Sequence, residues 1–297
     1  MPLDNSLRIL ADASGGIPAF FGEQKIVILR KAVDVRDFVT RAEIEAALDC
    51  GLLRWPYFGL VHDGRRTPLT EITETRVVQG REVTGLADGR KVREHLARGA
   101  TLKLNQLEDW HRRTREQQRG IESVLPVASK AFVFLTPEDR TGMPPHRDAS
   151  HVLVVQLEGR KEWRLYDPGP VVREDAGLDV DTLTPPRVEV LEPGDVLYLP
   201  HAYPHAATAV GGWSLHVTFT LEEPKPAALA RAARTSWQDA DGFARLRATH
   251  QELTRGDKVR AVAASLHAQL SRGTGDDLVT EALSDMRARR PGQERPS

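Results

Sequence analysis

From Lys130 to Leu221 the chain is a succession of short apolar or alternating runs, and this pattern restricts its fold more than anything else in it. The runs are "KAFVFLTP", "HVLVVQL", "KEWRLYDP", "RVEVLE", "DVLYLP" and "WSLHVTFTL". Turn formers separate them: Pro137, Gly142, Gly159, Pro168, Pro193-Gly194 and Gly211-Gly212. Many short strands broken by regular turn signals predict a sandwich or barrel. We expect a jelly roll of about eight strands over residues 126–222. The Glu158-Gly159 pair reads as a hairpin turn between two of them.

The flanks differ. Residues 1–125 mix helix and strand signals and read as an α/β elaboration of the barrel. "KIVILR" and "ATLKLN" are strand-like. Thr40 and Glu43 form a capping-box pair ahead of Ile44, Ala47, Leu48 and Leu52, which recur at helical spacing. Asn105 and Glu108 predict the cap of a second helix, with Leu107, Trp110, Thr114, Ile121 and Leu125 on one stripe. After Pro226 the chain is rich in Ala, Leu and Arg with helical period, and two or three helices are expected over residues 226–286. The polar, basic residues 287–297 read as a disordered tail. The expected organisation is one domain over residues 1–225, mainly β with flanking helices, followed by the helical region and the tail. An amphipathic helical region is compatible with a homodimer, and equally with helices packed on their own barrel.

Charge gives no argument for a nucleic-acid or membrane partner: Lys plus Arg is 41 and Asp plus Glu is 42, a net charge of −1. Cys50 is the only cysteine, so no intramolecular disulfide or thiolate metal cluster can form within the chain. The N-terminal "MPLDNSLRILADASGG" lacks a secretory pattern, and no apolar run approaches the roughly 18 residues of a membrane helix. A soluble cytoplasmic protein is expected.

"PPHRDASHVLVVQLEGRKEW" carries the chemistry. Residues two apart in a strand share a face, so His146 and Asp148 project together and Arg147 turns away. An imidazole and a carboxylate on one face are two legs of the 2-His-1-carboxylate arrangement that binds non-haem Fe(II). The second histidine must come from elsewhere in the barrel. His205, which follows a strand bounded by Pro-Gly-Asp and Pro200, is favoured over His201. His151 lies at an odd offset from His146 and so faces the other way in a regular strand. Lys161, Trp163 and Leu165 share the apolar, inward parity. A lysine buried without a partner loses its charge or destabilises the fold, so a dianionic ligand such as 2-oxoglutarate accounts for it. In "SLHVTFTL" one row is Ser214, His216, Thr218 and Thr220; it faces either solvent or a wet cavity, where Thr218 and Thr220 would donate to the cosubstrate.

The ordered combination "LTPEDRTGMPPHRDASHVLVVQLEGRKEWRLYDP", "LEPGDVLYLPHAYPHAATA" and "SLHVTFTL" resembles the JmjC-type cupin oxygenases, nearest to the ribosomal oxygenases and their bacterial relatives. The resemblance is dense from about Lys130 to Leu221. It implies a double-stranded β-helix core and an Fe(II)- and 2-oxoglutarate-dependent dioxygenase that uses O2 to hydroxylate an unactivated C–H bond, releasing succinate and CO2. It implies His146, Asp148 and His205 as metal ligands and Lys161 as the partner of the 2-oxoglutarate carboxylate. Known members act mainly on protein side chains, and some relatives demethylate lysine. The chain departs from the pattern in three places. Phe132 stands where many relatives have asparagine, so a polar cosubstrate contact is absent or replaced. His151 stands where an acidic residue often follows, which marks it as a residue of the substrate entrance. The residues after Pro226 are too few for both a dimerisation region and a winged helix. Trp55 and Tyr203 are further candidates for substrate contact. A protein or peptide side chain is the first substrate expectation, a free amino acid or natural-product intermediate the second, and a non-catalytic ligand-binding cupin the alternative of another class.

Overall fold

The computed structural model describes Phe21 and residues 25–170, 173–238, 240–271 and 275–288. The N-terminal stretch read for a secretory pattern and most of the expected disordered tail lie outside these residues. The chain divides into two compact units, Met1–Leu125 with Ser129–Leu221, and Pro126–Ala128 with Glu222–Ser297.

In the first unit the elements run β1 (Val27–Leu29), α1 (Arg41–Cys50), β2 (Phe58–His62), β3 (Arg65–Arg66), β4 (Thr73–Val78), β5 (Arg81–Ala87), α2 (Gly89–Ala97), β6 (Thr101–Leu104), α3 (Arg112–Val124), β7 (Ala128–Thr136), β8 (His151–Leu165), β9 (Arg187–Leu191), β10 (Val196–Leu199) and β11 (His205–Glu222). One antiparallel sheet runs in the order β1-β10-β8-β11-β7-β6-β2-β3, with β9 also on β8. The strands β4 and β5 form a separate hairpin.

The barrel has fewer and longer strands than expected. "HVLVVQL" and "KEWRL" are the two halves of β8, and "HAATAV" and "SLHVTFTL" are the two halves of β11. Gly159 is therefore not a hairpin turn but a kink inside a continuous strand. Its φ of +64° lies in the left-handed region, where a side chain is strained. Opposite it, β11 slips register between Val210 and Leu215, around Gly211 and Gly212. The irregularity swaps parity. Before the kink Val152 and Val154 face the core; beyond it Trp163 and Leu165 do, and these four pack with Leu191, Leu197 and Leu199 in one buried cluster. The first half of β10 follows the Pro193-Gly194-Asp195 turn. There the buried Asp195 carboxylate accepts from the Lys31 and Glu192 amides and the Arg30 guanidinium, tying the end of β1 to the barrel.

The flanks follow local rules with one substitution of cap. Thr40 and Glu43 form the reciprocal capping box of α1. The second helix, α3, is capped by His111 rather than Asn105: its ring accepts from the Thr114 amide. Glu108 is drawn inward, where its carboxylate accepts from the Ala131 amide, and burial raises it to about 7. The helix-rich unit holds four helices among its described residues, not two or three: α4 (Pro226–Gln238), α5 (Asp241–Thr249), α6 (Arg255–Leu270) and α7 (Gly275–Ala288). Thr254 caps α6 separately, and Trp237 packs edge-on against Phe243 while its indole donates to Ser265. No described helix is long and apolar enough to cross a membrane.

The kink gives a direct test. A Cβ at Gly159 would stand 1.8 Å from the Trp213 carbonyl oxygen, whereas one at Gly80, also left-handed, meets open space. Gly80→Ala is expected to lose about 1 kcal/mol for the backbone conformation alone. Gly159→Ala is expected to lose a further 1–3 kcal/mol, roughly, for displacing that carbonyl. Denaturant midpoints measure both, and equal losses would contradict the kink.

Candidate metal centre

Two histidines far apart in sequence are set face to face by the backbone. His146 and His205 form an isolated antiparallel bridge in which each amide donates to the other's carbonyl, at 3.0 and 2.9 Å. Directly paired residues project to the same face, and so does Asp148, two residues along. The two rings lie 4.4 Å apart between centroids. Asp148 places one carboxylate oxygen 3.9 Å from His146 Nε2 and the other 3.7 Å from His205 Nε2. One ligand atom from each of the three residues lies within 4.8 Å of the others, and among the described residues this is the one group able to hold a metal ion.

The tautomers suit that role. His146 Nδ1 lies 2.9 Å from the Pro144 carbonyl, and His205 Nδ1 lies 2.8 Å from the Tyr203 carbonyl. A carbonyl only accepts, so each Nδ1 carries the hydrogen and each Nε2 keeps its lone pair for a metal. Burial, followed by the neighbouring His146, lowers His205 to about 4, which keeps this ring neutral and ligating. Two neutral imidazoles and one carboxylate are the donor set of a non-haem Fe(II) site with positions left open.

The triad opens on a cavity of about 100 Å³. Lys161 is 2% exposed on its wall, and its ammonium donates to Thr136 Oγ1 at 2.9 Å, leaving two of three donors for a ligand. Burial lowers it to about 7. The indole of Trp163 lies against both His205 and His216. Trp163 Nε1 and His216 Nδ1 are buried donors or acceptors with no partner among the described residues, and both residues line the cavity. Orphaned polar atoms in a dry wall are costly, which fits a cavity shaped for a polar ligand. The residues present therefore fit a divalent metal and a carboxylate-bearing cosubstrate.

The remaining sequence candidates are distributed unevenly. Thr218 lines the cavity; Thr220 does not, because its hydroxyl donates to the Lys130 carbonyl. His201 is turned away, its ring on the Glu174 carbonyl. His151 is not at an entrance. It is 3% exposed on the outer face of β8, covered by Phe21 and Tyr198, with Nδ1 accepting from the His201 amide. Tyr203 contributes its carbonyl to His205 and its ring to the packing around the core cluster, not to the cavity. Trp55 is 52% exposed and its amide pairs with Gly85. Arg147 does turn away from the triad, but into the protein: it is 7% exposed and holds the segment around Gly177 and Asp179. Lys103, Phe134 and His216 also line the cavity, and no sequence signal singles out the first two. His216 sits in the all-polar row of β11, the one signal that could have found it.

Residues 105–229 match the JmjC domain family. Ribosomal oxygenase 2 of Rattus norvegicus is 35% identical over 125 residues, 41% of this chain and 27% of that protein. The bifunctional lysine-specific demethylase and histidyl-hydroxylase NO66 of Drosophila erecta is 39% identical over 116 residues, 34% of this chain and 18% of that protein. The chain thus spans about a quarter or less of these relatives. The X-ray structure of ycfD from E. coli superposes with a TM-score of 0.57 at 17% identity, over 88% of this chain and 68% of that one, a likeness of fold. Residues 105–229 thus resemble the JmjC domain family, and the jelly-roll fold resembles that of E. coli ycfD.

Proposed function

We propose that this chain is an Fe(II)- and 2-oxoglutarate-dependent oxygenase that hydroxylates a C–H bond of a protein side chain. The observation that carries the reading is the convergence of two Nε2 lone pairs and a carboxylate at the mouth of a cavity whose wall buries a lysine. Names of the curated relatives, an oxygenase and a histidyl-hydroxylase, support it. The single cysteine, exposed and free, suits a reducing cytoplasm.

His146, Asp148 and His205 would hold the iron, and Lys161, held in place by Thr136, would take the far carboxylate of 2-oxoglutarate. When bound, the two supply the oxidising power: substrate, O2 and 2-oxoglutarate give hydroxylated substrate, succinate and CO2. The protein's own part is placement. The His146–His205 bridge fixes two donors against each other, and the Pro144 and Tyr203 carbonyls fix their ring orientation. Trp163 fills the space between His205 and His216 and excludes water there. Lys161 lies in β8, paired to β9 and β11, so it cannot retreat to solvent without breaking both ladders.

Purified protein given Fe(II) and 2-oxoglutarate is expected to release succinate. His146→Ala, Asp148→Ala and His205→Ala should each lose iron binding and succinate formation, and His201→Ala should keep both. Iron retained by the His205 variant and lost by the His201 variant would overturn the ligand assignment.

Lys161 adds a pH signature. Its folded value, about 7, lies below its ordinary 10.5, so between these the unfolded chain binds the proton and the folded chain does not. The ligand-free protein therefore gains stability from this site as pH rises from about 7 toward 10.5, and Lys161→Met should lack that slope. A bound carboxylate restores the ammonium, so 2-oxoglutarate binding above about pH 7 should take up a proton. Calorimetry in buffers of different ionisation enthalpy reads this uptake; its absence would detach Lys161 from the ligand.

A further inference from the structure

A second lysine faces the cavity. Lys103 lies on β6, paired on one side with Gly59 of β2 and on the other with Phe134 of β7, so ladders on both sides hold its backbone. Its ammonium stands 4.6 Å from the centroid of Phe132 and 5.4 Å from that of Phe134, and it lines the same wall as His146 and Asp148. Among the described residues it makes no hydrogen bond and no ion pair. Phe132 thus serves as one plate of a cation–π seat. Directly opposed residues share a face, and Gly59 presents no side chain beside Lys103: a Cβ there would meet open space. Val61, two residues on and on the same face, lines the cavity. The ammonium therefore borders a gap left open by a glycine.

The charges in the cavity do not cancel without a further anion. Asp148 offsets one positive charge of a divalent metal. A 2-oxoglutarate dianion offsets the other together with Lys161. Lys103 is left over, poorly solvated and with its donors unused. A cationic side chain brought to the iron would meet this ammonium across a water-poor space, whereas a carboxylate would pair with it.

We propose that Lys103 selects a substrate whose reacting residue or molecule carries a carboxylate, which enters through the space beside Gly59; this rests on the oxygenase reading above. The carboxylate, from an acidic side chain or a free acid, pairs with Lys103 and holds the adjacent C–H carbons toward the triad.

The test uses protein loaded with Ni(II), which holds the site without turnover, and saturated with 2-oxoglutarate. Calorimetry then compares peptides differing at one central residue, Asp, Glu, Asn, Gln, His, Lys or Arg, with free aspartate and glutamate as the small-molecule arm. An acidic probe should bind about tenfold or more tighter than its amide counterpart, the difference a charge-assisted hydrogen bond makes. Lys103→Met should remove that preference, Lys103→Arg should keep it, and Gly59→Leu should block the acidic probe. With iron in place, the preferred probe should gain one oxygen by mass spectrometry. Tighter or equal binding of the Lys, Arg or His peptide, a preference that survives Lys103→Met, or no binding of any acidic probe would overturn the proposal. Succinate formation from 2-oxoglutarate by the iron-loaded protein separates the two failures: with succinate formed, only the selectivity assignment falls, and without it the oxygenase reading falls first.

Discussion

The reciprocal backbone pair between His146 and His205 is the interaction on which the site depends. It joins a loop residue ahead of β8 to the first residue of β11, and it does so without using either side chain. Both imidazoles are thereby free to face the cavity, and each is oriented by the carbonyl two residues before it. The scheme is economical in a physical sense. The same main-chain geometry that closes the barrel end also sets ligand spacing, and Asp148 follows from strand alternation alone.

The kink at Gly159 has an equal part in building the cavity. Without the register slip between β8 and β11, Val152 and Lys161 would not share a wall with His205 and His216. A left-handed glycine against the Trp213 carbonyl makes the swap of parity. On the inward wall, the elaboration before the barrel contributes Val61, Thr101 and Lys103, so the cavity is shaped by β2 and β6 as much as by the jelly roll. The Thr101 and Thr136 hydroxyls and the Lys161 ammonium form a short buried polar chain along that wall.

Period-two alternation is a local property, and features governed by it were readable in the sequence. His146 and Asp148 share a face, Lys161 and Trp163 share the inward parity, and the capping box at Thr40 starts its helix. What was not readable depends on partners distant in the chain. Gly159 carries the same composition signal whether it turns the chain or kinks a strand, and only the continuous ladder with β11 decides. His151 reads as an entrance residue until Phe21 and Tyr198, from remote segments, cover it. Lys103 sits in the unremarkable run "ATLKLN"; its facing is set by β2 and β7, and nothing in that run marks it as cavity-lining. The cap of α3 is His111, and Glu108 turns inward to the Ala131 amide, a partner 23 residues away that local spacing does not reveal.

The central claim is that one cavity joins a His–Asp–His metal centre to a lysine-bound cosubstrate carboxylate. Anomalous diffraction from crystals soaked with Mn(II) and 2-oxoglutarate tests it most directly. The account predicts a single strong peak within bonding distance of His146 Nε2, an Asp148 carboxylate oxygen and His205 Nε2, with the far carboxylate of 2-oxoglutarate on Lys161 Nζ. A peak elsewhere, or 2-oxoglutarate bound away from Lys161, would contradict it.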